Sequence, residues 1–569
     1  MDQRLRGAQM VFEAFRREGV RIIFGYPGGA VLPLYDALPE FPDLHHVLVR
    51  HEQAAAHAAD GYARATGQVG VCIATSGPGA TNLVTGLATA MMDSSPVVAI
   101  TGQVARPFIG RDAFQETDVV GVTLPVTKHN YLVQDIEELP EILKEAFAIA
   151  HGGRPGPVLV DIPKDVFLAE ARFDYDAPVA RPRSVHALPT DPELREAARL
   201  LARAERPVIV AGHGVILSRA YEELKALAEQ VDAPVATTLL GLSCFPQSHP
   251  LNLGMPGMHG LATANLAIQE ADLLIAVGMR MDDRVTGKTA DFAPKAEVIH
   301  IDVDASEVNR NIACRYPLIG DVKDVLRVLL PKVKPASRPD WLAQIDAWRR
   351  EYPSTTIRST EALLPQAVIR GISEAGGGGA TIVTDVGQHQ MWTAQHCSFD
   401  RPNSHISSGG LGTMGFALPA AMGVQFGRPG EPVWVIAGDG GIQMNIQELA
   451  TIVQENLPIK IAIINNGYLG MVRQWQQLFH GNRLVETPIT GPDYVKLADA
   501  YGLLGLRVTR PDQLAAALQT AGDHPGPVLI EFVVAEAENV YPMIAPGTSN
   551  SQIIHDPETV GAEVARIGR

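Results

Sequence analysis

The sequence predicts an α/β protein built from three doubly wound domains, each with a mainly parallel sheet. Three observations carry that expectation. The chain has 569 residues, more than one hydrophobic core supports, so about three domains of 150–200 residues are expected. Short apolar runs ending at glycine alternate with alanine-rich helical stretches, the pattern of strand–helix–strand units. Two Pro-containing segments, DYDAPVARPRSVHALPTDP and LLPKVKPASRPD, divide the alternation into three blocks. The resulting boundaries are 1–180, 190–335 and 355–569.

The elements read in order as follows. The first block has strands in RIIFGYPGG, VGVCIATSGPG, SPVVAITGQ and GPVLVDIP. The second has PVIVAGHG, APVATTLL, ADLLIAVG and AEVIHIDVD. The third opens with helices and continues with ATIVTDVGQ, PVWVIAGDGG, PIKIAIINN and GPVLIEFVV, in the style of the first. There is no short internal repeat and no low-complexity segment.

Composition narrows the function classes. A net charge of −16 argues against nucleic acid or an anionic membrane surface as the main partner. No run approaches 18 apolar residues, so no membrane span is expected. Cys72, Cys244, Cys314 and Cys397 are far apart and form no CxxC pair, which indicates neither a disulfide framework nor a zinc site and fits a reducing cytoplasm. The opening MDQRLRGAQMVFEAFRREGV reads as amphipathic helix, not as a signal or transit sequence.

The most informative stretch is GDGGIQMNIQELATIVQENLPIKIAIINN, residues 438–466. PVWVIAGDG is a buried strand and the turn at its carboxyl end. Ile446, Leu449, Ala450 and Val453 recur at helical spacing, and PIKIAII is the next strand. In a right-handed βαβ unit both strand ends reach the same sheet edge, so Asp439 and Asn466 converge. One carboxylate and one amide oxygen are too few for a full cage. They suit Mg²⁺, which keeps water and phosphate oxygens in its shell. Gly440 and Gly441 let a diphosphate approach the backbone.

That stretch resembles the GDG-to-NN motif of thiamine diphosphate enzymes. FGYPGGAVLPLYDAL, RHEQAAAHAADGYARATG, TSGPGATN, DAFQE, MHG, DDRVTG, VGQHQMW, SGGLGTMGFALPAA and LGMVRQWQ extend the likeness over nearly the whole chain. They are similar to the acetohydroxyacid synthase (acetolactate synthase) catalytic subunits, in the same order. The resemblance implies pyrimidine-binding, FAD-binding and diphosphate-binding domains, with thiamine diphosphate, Mg²⁺ and FAD as cofactors. It implies decarboxylation of pyruvate and addition of the two-carbon unit to pyruvate or 2-ketobutyrate. The products, 2-acetolactate and 2-aceto-2-hydroxybutyrate, lead to valine, leucine and isoleucine. A homodimer or dimer of dimers and a separate small regulatory subunit are further implications.

The same resemblance assigns roles. A Glu opening an Ala-rich helix is, on residue type alone, most often a solvated first-turn acid. The likeness makes Glu52 the partner of the cofactor's aminopyrimidine. Gly29, Gln115 and Lys164 match the catalytic side, and Phe114 the substrate side. Gly29 would offer a backbone donor to developing negative charge. Without the likeness, Gly29 reads as a turn glycine and Gln115 as a surface amide. Gln388, His389 and Gly412 fall against the diphosphate, and Met414 beneath the bent cofactor, although a buried Met is otherwise ordinary core. Tyr468 would add its carbonyl to the metal ligands Asp439 and Asn466.

FAD falls to Arg154, Gly212, Gly214, Met258, His259, Gly278, Arg280, Arg284, Asp302 and Asp321. GHG alone is weak, lacking the third Gly of GxGxxG, and VTGKT is no P-loop because Asp282 stands where its first Gly belongs. Trp475 matches a substrate-pocket wall; a lone Trp is otherwise core packing.

The chain departs from the family pattern at Met281 (RMDDR for RFDDR), at Ala105 (GQVA for GQVP) and within MIAPGTSNSQII. These leave channel shape and inhibitor response open. The rivals are a pyruvate oxidase-like enzyme, a flavin-free acetolactate synthase and a non-catalytic nucleotide-binding protein. Flavin bleaching by pyruvate, a colourless protein and absence of pyruvate turnover would identify them in turn.

Overall fold

A computed structural model describes residues 4–176 and 188–560. It contains three six-stranded sheets, and every neighbouring pair within them is parallel. The expected end of the first domain at residue 180, and most of the Pro-rich segment around it, lie outside the described residues.

The first sheet comprises β1 (Ile22–Gly25), β2 (His45–Leu48), β3 (Gly70–Ala74), β4 (Val97–Gln103), β5 (His129–Leu132) and β6 (Val158–Pro163). Its spatial order is β2-β1-β3-β4-β6-β5. The second comprises β7 (Pro207–Ala211), β8 (Val235–Thr237), β9 (Asn252–Gly254), β10 (Leu273–Val277), β11 (Glu297–Asp302) and β12 (Tyr316–Ile319), in the order β9-β8-β7-β10-β11-β12. The third comprises β13 (Thr381–Thr384), β14 (His405–Ser407), β15 (Val433–Gly438), β16 (Lys460–Asn465), β17 (Leu504–Val508) and β18 (Val528–Val533), in the order β14-β13-β15-β16-β18-β17.

The first and third sheets therefore share one winding, and the second has the order of dinucleotide-binding folds, with its reversal between β7 and β10. Every residue of β4 and β15 is buried, as a parallel sheet covered on both faces requires. Among the described residues, two short antiparallel ribbons, Arg4–Arg6 with Glu170–Arg172 and Met543–Ile544 with Ile553–Ile554, and an isolated antiparallel bridge between Tyr468 and Pro488 lie outside the parallel sheets.

The first and third domains share a core. One buried cluster runs from Phe24 and Val47 through Ala54, Ala58 and Ala59 to Ala417, Ala420, Val435 and Ile461. Helix Glu52–Thr66 packs on helix Ala417–Gly427, each following the second strand of its sheet. The backbones touch: a Cβ at Gly61 would run into the carbonyl oxygen of Ala420, and a Cβ at Gly423 into that of Ala58.

One local expectation shifts. The stretch read as a helix from Ile446 is a 3₁₀ turn over Ile446–Glu448 followed by a helix over Leu449–Gln454. Its buried positions are Glu448, Leu449, Thr451 and Ile452, while Ala450 and Val453 are only half-buried. The phase changes because Glu448 turns inward. Its carboxylate accepts the Arg50 amide of the first domain at 2.9 Å and the Thr451 hydroxyl at 2.7 Å.

Gly423→Ala is expected to destabilise the protein by at least the ~1–3 kcal/mol usual for overpacking, because carbonyl backbone cannot retreat as a side chain can. A thermal melt that matches the parent would contradict the close approach.

Candidate active site

The third sheet supplies the candidate metal site. β15 ends at Gly438, and Asp439 opens the short helix Asp439–Ile442. β16 ends at Asn465, so Asn466 follows at the same edge. Asp439 and Asn466 line one cavity of about 90 Å³ together with Gly387, Gln388, His389 and Gly440, and Met414 and Tyr468 border it too. Burial pushes the Asp439 carboxyl up to about 6, opposed by hydrogen bonds from its own amide and those of Asn466, Gly467 and Gly440. Asn466 accepts from the Tyr468 amide at 3.1 Å and donates to Gln388 at 3.2 Å. Gln388 donates in turn to Gln474 at 2.9 Å and to the Glu538 carbonyl at 3.0 Å.

The donor set fits Mg²⁺ with a diphosphate: one carboxylate, one amide oxygen and a turn carbonyl at Tyr468, all hard oxygens. Among the described residues no three His, Cys, Asp or Glu side chains gather in a metal-holding group. His389 has a buried Nε2 without a partner in this cavity, and burial lowers its imidazole to about 4. The Asp385 carbonyl takes the proton of the ring's other nitrogen, so the neutral imidazole presents Nε2 to the cavity as an acceptor.

The second sheet supplies a groove at its switch point. A Cβ at Gly214 would lie 2.7 Å from the Gly278 Cα, and one at Gly212 would meet the Gly278 carbonyl. Gly278 has φ +58°, a conformation open to glycine. These glycines bring the β7 and β10 turns together and leave a cavity of about 490 Å³. Arg154, Gly214, Met258, His259, Gly278, Arg280, Arg284 and Asp302 all line it. A cavity of about 210 Å³ shares Gly214, Gly278 and Asp302 with it and adds Asp321. Gly212 is buried and lines neither; its contribution is the close turn. Arg154 donates to Ser94 at 2.9 Å and pairs with Glu307 at 2.6 Å. His259 has a buried Nδ1 without a partner. A groove with three arginines along it and a switch-point floor fits a dinucleotide cofactor.

The two sites meet. Gly412, Met414 and Trp475 also line the larger cavity, so Met414 borders both the groove and the diphosphate cavity. Trp475 has its Nε1 buried without a partner and sits edge-on to Phe479, 5.8 Å between ring centroids.

The remaining predicted residues lie at the carboxyl edge of the first sheet. Glu52 opens its helix after β2, and Asn82 donates to it at 2.9 Å. Gln115 has φ +60°, unusual for a residue with a side chain, and the Gln115 backbone closes on Gly77. Phe114 beside it is 88% exposed. Gly29 is exposed with open space around its Cα, and Lys164 opens the short helix after β6. None of these five residues lines the groove or the diphosphate cavity of the same chain.

Sequence reasoning passed over Asp385, Asn82 and Asp93. Asp385 is fully buried and accepts the amides of Val386 at 2.7 Å and Gly415 at 2.9 Å, fixing the turn that carries Met414. Burial lifts its carboxyl to about 6. A lone acid after a strand carries no periodic signal, and nothing in VTDVGQ marks it apart from turn residues. Asn82 lay within the quoted TSGPGATN, where its spacing from Glu52 gives no hint of contact.

Comparison with known proteins adds an independent finding. Residues 5–122, 194–329 and 385–532 match the N-terminal, central and C-terminal domains of thiamine pyrophosphate enzymes. The chain is 51% identical over 565 residues to an acetolactate synthase of Mycobacterium bovis, covering 97% of this chain and 91% of that protein. It is 49% identical over 563 residues to the acetolactate synthase isozyme 2 large subunit of Escherichia coli, covering 97% and 99%. It is 48% identical over 566 residues to the acetolactate synthase large subunit of Cyanidium caldarium, covering 96% of each.

Asp385→Ala leaves the buried Gly415 amide and the half-buried Val386 amide without their acceptor, the buried one worth about 1–3 kcal/mol. The expected outcome is a melting temperature several degrees lower and faster hydrogen exchange at Gly415. Unchanged exchange there would remove Asp385 from the support of Met414.

Proposed function

The chain belongs to the acetolactate synthase family of thiamine pyrophosphate enzymes, and from that premise we propose that it condenses two 2-ketoacids with loss of carbon dioxide. Pyruvate is the donor. A second pyruvate gives 2-acetolactate, and 2-ketobutyrate gives 2-aceto-2-hydroxybutyrate, for branched-chain amino acid synthesis. The observation that supports this reading most directly is the meeting of the Asp439–Asn466 cavity and the groove at Met414.

Bound thiamine diphosphate supplies a carbon nucleophile and an electron sink for the decarboxylation. The protein's part is binding, orientation and proton handling. Asp439, Asn466 and the Tyr468 carbonyl would hold Mg²⁺. Gln388, His389, Gly440 and Gly441 would hold the diphosphate, with Gly412 and Met414 shaping the pocket. Glu52 would hold the proton shared with the aminopyrimidine, its orientation set by Asn82. The Gly29 amide would face developing negative charge, and Gln115, Lys164 and Phe114 would flank the substrates. FAD would occupy the groove, with Arg154, Arg280 and Arg284 along it, Asp302 shared with the adjoining cavity and Asp321 within that cavity.

Glu52 and its neighbours line no cavity with Asp439 of the same chain, which favours a homodimer in which the Glu52 edge of one protomer faces the Asp439 edge of its partner. Both edges expose apolar side chains suited to that: Leu32, Phe108, Phe114 and Leu124 on one, Leu411, Met444 and Val472 on the other. A dimer of dimers and a separate small subunit extend the same reading, since the relatives are named large subunits. A cytoplasmic setting fits four buried, free cysteines. Among the described residues no helix is long and apolar enough to cross a membrane.

The test is product analysis with pyruvate and 2-ketobutyrate, with thiamine diphosphate, Mg²⁺ and FAD supplied. Both acetohydroxy acids are expected, with the flavin remaining oxidised. Flavin bleaching by pyruvate would point to a pyruvate oxidase-like reaction instead.

Glu52→Gln is expected to bind thiamine diphosphate normally but slow exchange of its C2 proton by about 10²–10⁴-fold. Parental exchange rates would dismiss the proton-handling role. Trp475→Leu opens an apolar wall against acceptors that differ by one methylene, a difference worth about 1–3 kcal/mol, or roughly ten- to two-hundredfold. Acetolactate formation should persist while preference for 2-ketobutyrate collapses toward parity; a constant product ratio would return Trp475 to core packing.

A further inference from the structure

We propose that Asp93 is a positioning residue that holds the loop Ser408–Met414 between the two cavities, so that filling one cavity organises the other. The inference rests on the cofactor reading above. It starts from a buried charge cluster outside the predicted site. Asp60 and Asp93 are both fully buried, and both pair with Arg64, at 2.7 Å and 2.8 Å.

The two acids differ in what else they hold. Asp93 accepts the backbone amides of Gly410 at 2.6 Å and Gly409 at 3.1 Å, reaching from the first domain into the third. Among the described residues Asp60 holds no loop amide; its other stabilising partner is Ser95. Arg64 donates to the Ser407 carbonyl at 2.7 Å, and Thr89 and Thr413 share a hydrogen bond of 2.7 Å. The loop is thus pinned at Gly409, Gly410 and Thr413, and the strand end before it at Ser407, by two first-domain helices.

Its position gives the pinning a purpose. Gly409 and Gly412 line the groove, and Met414 borders both cavities. Ser94, the residue after Asp93, has φ +61° and accepts from Arg154, whose guanidinium pairs with Glu307 at the groove's wall. Adjacent residues therefore reach the loop beneath one cofactor and the arginine beside the other. A strained non-glycine residue at such a junction is held there by its surroundings. Any ligand that shifts this loop from one side alters the site met by the other, and the effect is reciprocal.

The test uses full-length protein and both cofactors. Thiamine diphosphate with Mg²⁺ is titrated with and without FAD by equilibrium dialysis, and FAD with and without thiamine diphosphate by quenching of flavin fluorescence. In the parent protein each cofactor should tighten the other by about fivefold or more, the lower end of typical coupling. Asp93→Asn should bring that factor close to one. Asp60→Asn weakens the other half of the same ion pair but removes no hydrogen bond to Gly409 or Gly410, so it should lower the melting temperature yet retain the coupling. Coupling unchanged in Asp93→Asn, or lost equally in Asp60→Asn, would overturn the proposal.

Should either variant fail to fold, hydrogen exchange on the parent protein decides: the amides of Gly409 and Gly410 should gain protection when FAD alone is added, and no gain overturns the idea. A parent protein that binds neither cofactor would refute the cofactor reading itself, a separate outcome.

Discussion

The structure depends on one contact between backbones. Helices Glu52–Thr66 and Ala417–Gly427 cross where Gly61 meets Ala420 and Gly423 meets Ala58, two Ala-x-x-Gly steps facing each other reciprocally. Only glycine leaves room there, and alanine on either side keeps the approach short. The contact fuses the first and third domains into one core. It also relates two sheets of identical winding in a two-fold manner. Counting back nine residues from Gly61 gives Glu52, and nine from Gly423 gives Met414. An asparagine side chain supports each position, Asn82 on Glu52 and Asn445 on the carbonyl of Gly415. Glu52 and Met414 thus occupy matched places in two matched domains.

Around that frame, charge is buried at the sheet edges and held by backbone amides. Asp385, Asp93 and Asp439 each take N–H groups from turns, which offsets part of the desolvation that burial imposes. The polar atoms left without partners are informative for the same reason. His389 Nε2, His259 Nδ1 and Trp475 Nε1 all belong to residues that line a cavity. Orphans of this kind, unlike those of Thr237 or Gln425 in the interior, lie where a ligand's groups can reach them.

The parallel runs, the three-block division and the Asp439–Asn466 pair were legible in the sequence because they rest on period, glycine punctuation and βαβ handedness. The groove residues from GHG to DDRVTG were legible only through family likeness, since no single segment is specific. What escaped was set by tertiary contact. The helix after Ile446 changes phase because Glu448 bonds to Arg50, nearly 400 residues away. Asp385 and Asp93 are isolated acids whose partners come from loops distant in sequence. Gln115 owes its backbone conformation to packing beside Gly77, which no local pattern encodes.

The paired helices also have a consequence for synthesis. Gly61 leaves the ribosome about 360 residues before Ala420, so at roughly 5–20 residues per second its partner arrives on the order of 20–70 s later. For that interval the first domain carries an uncovered seam. The seam is made of Ala54, Ala55, Ala58, Ala59 and Gly61, small side chains that present little greasy area to a passing hydrophobe. A Leu-rich seam would grip its partner as firmly but would be adhesive throughout the wait. Small residues let the nascent chain stay soluble until its own C-terminal third emerges to close it.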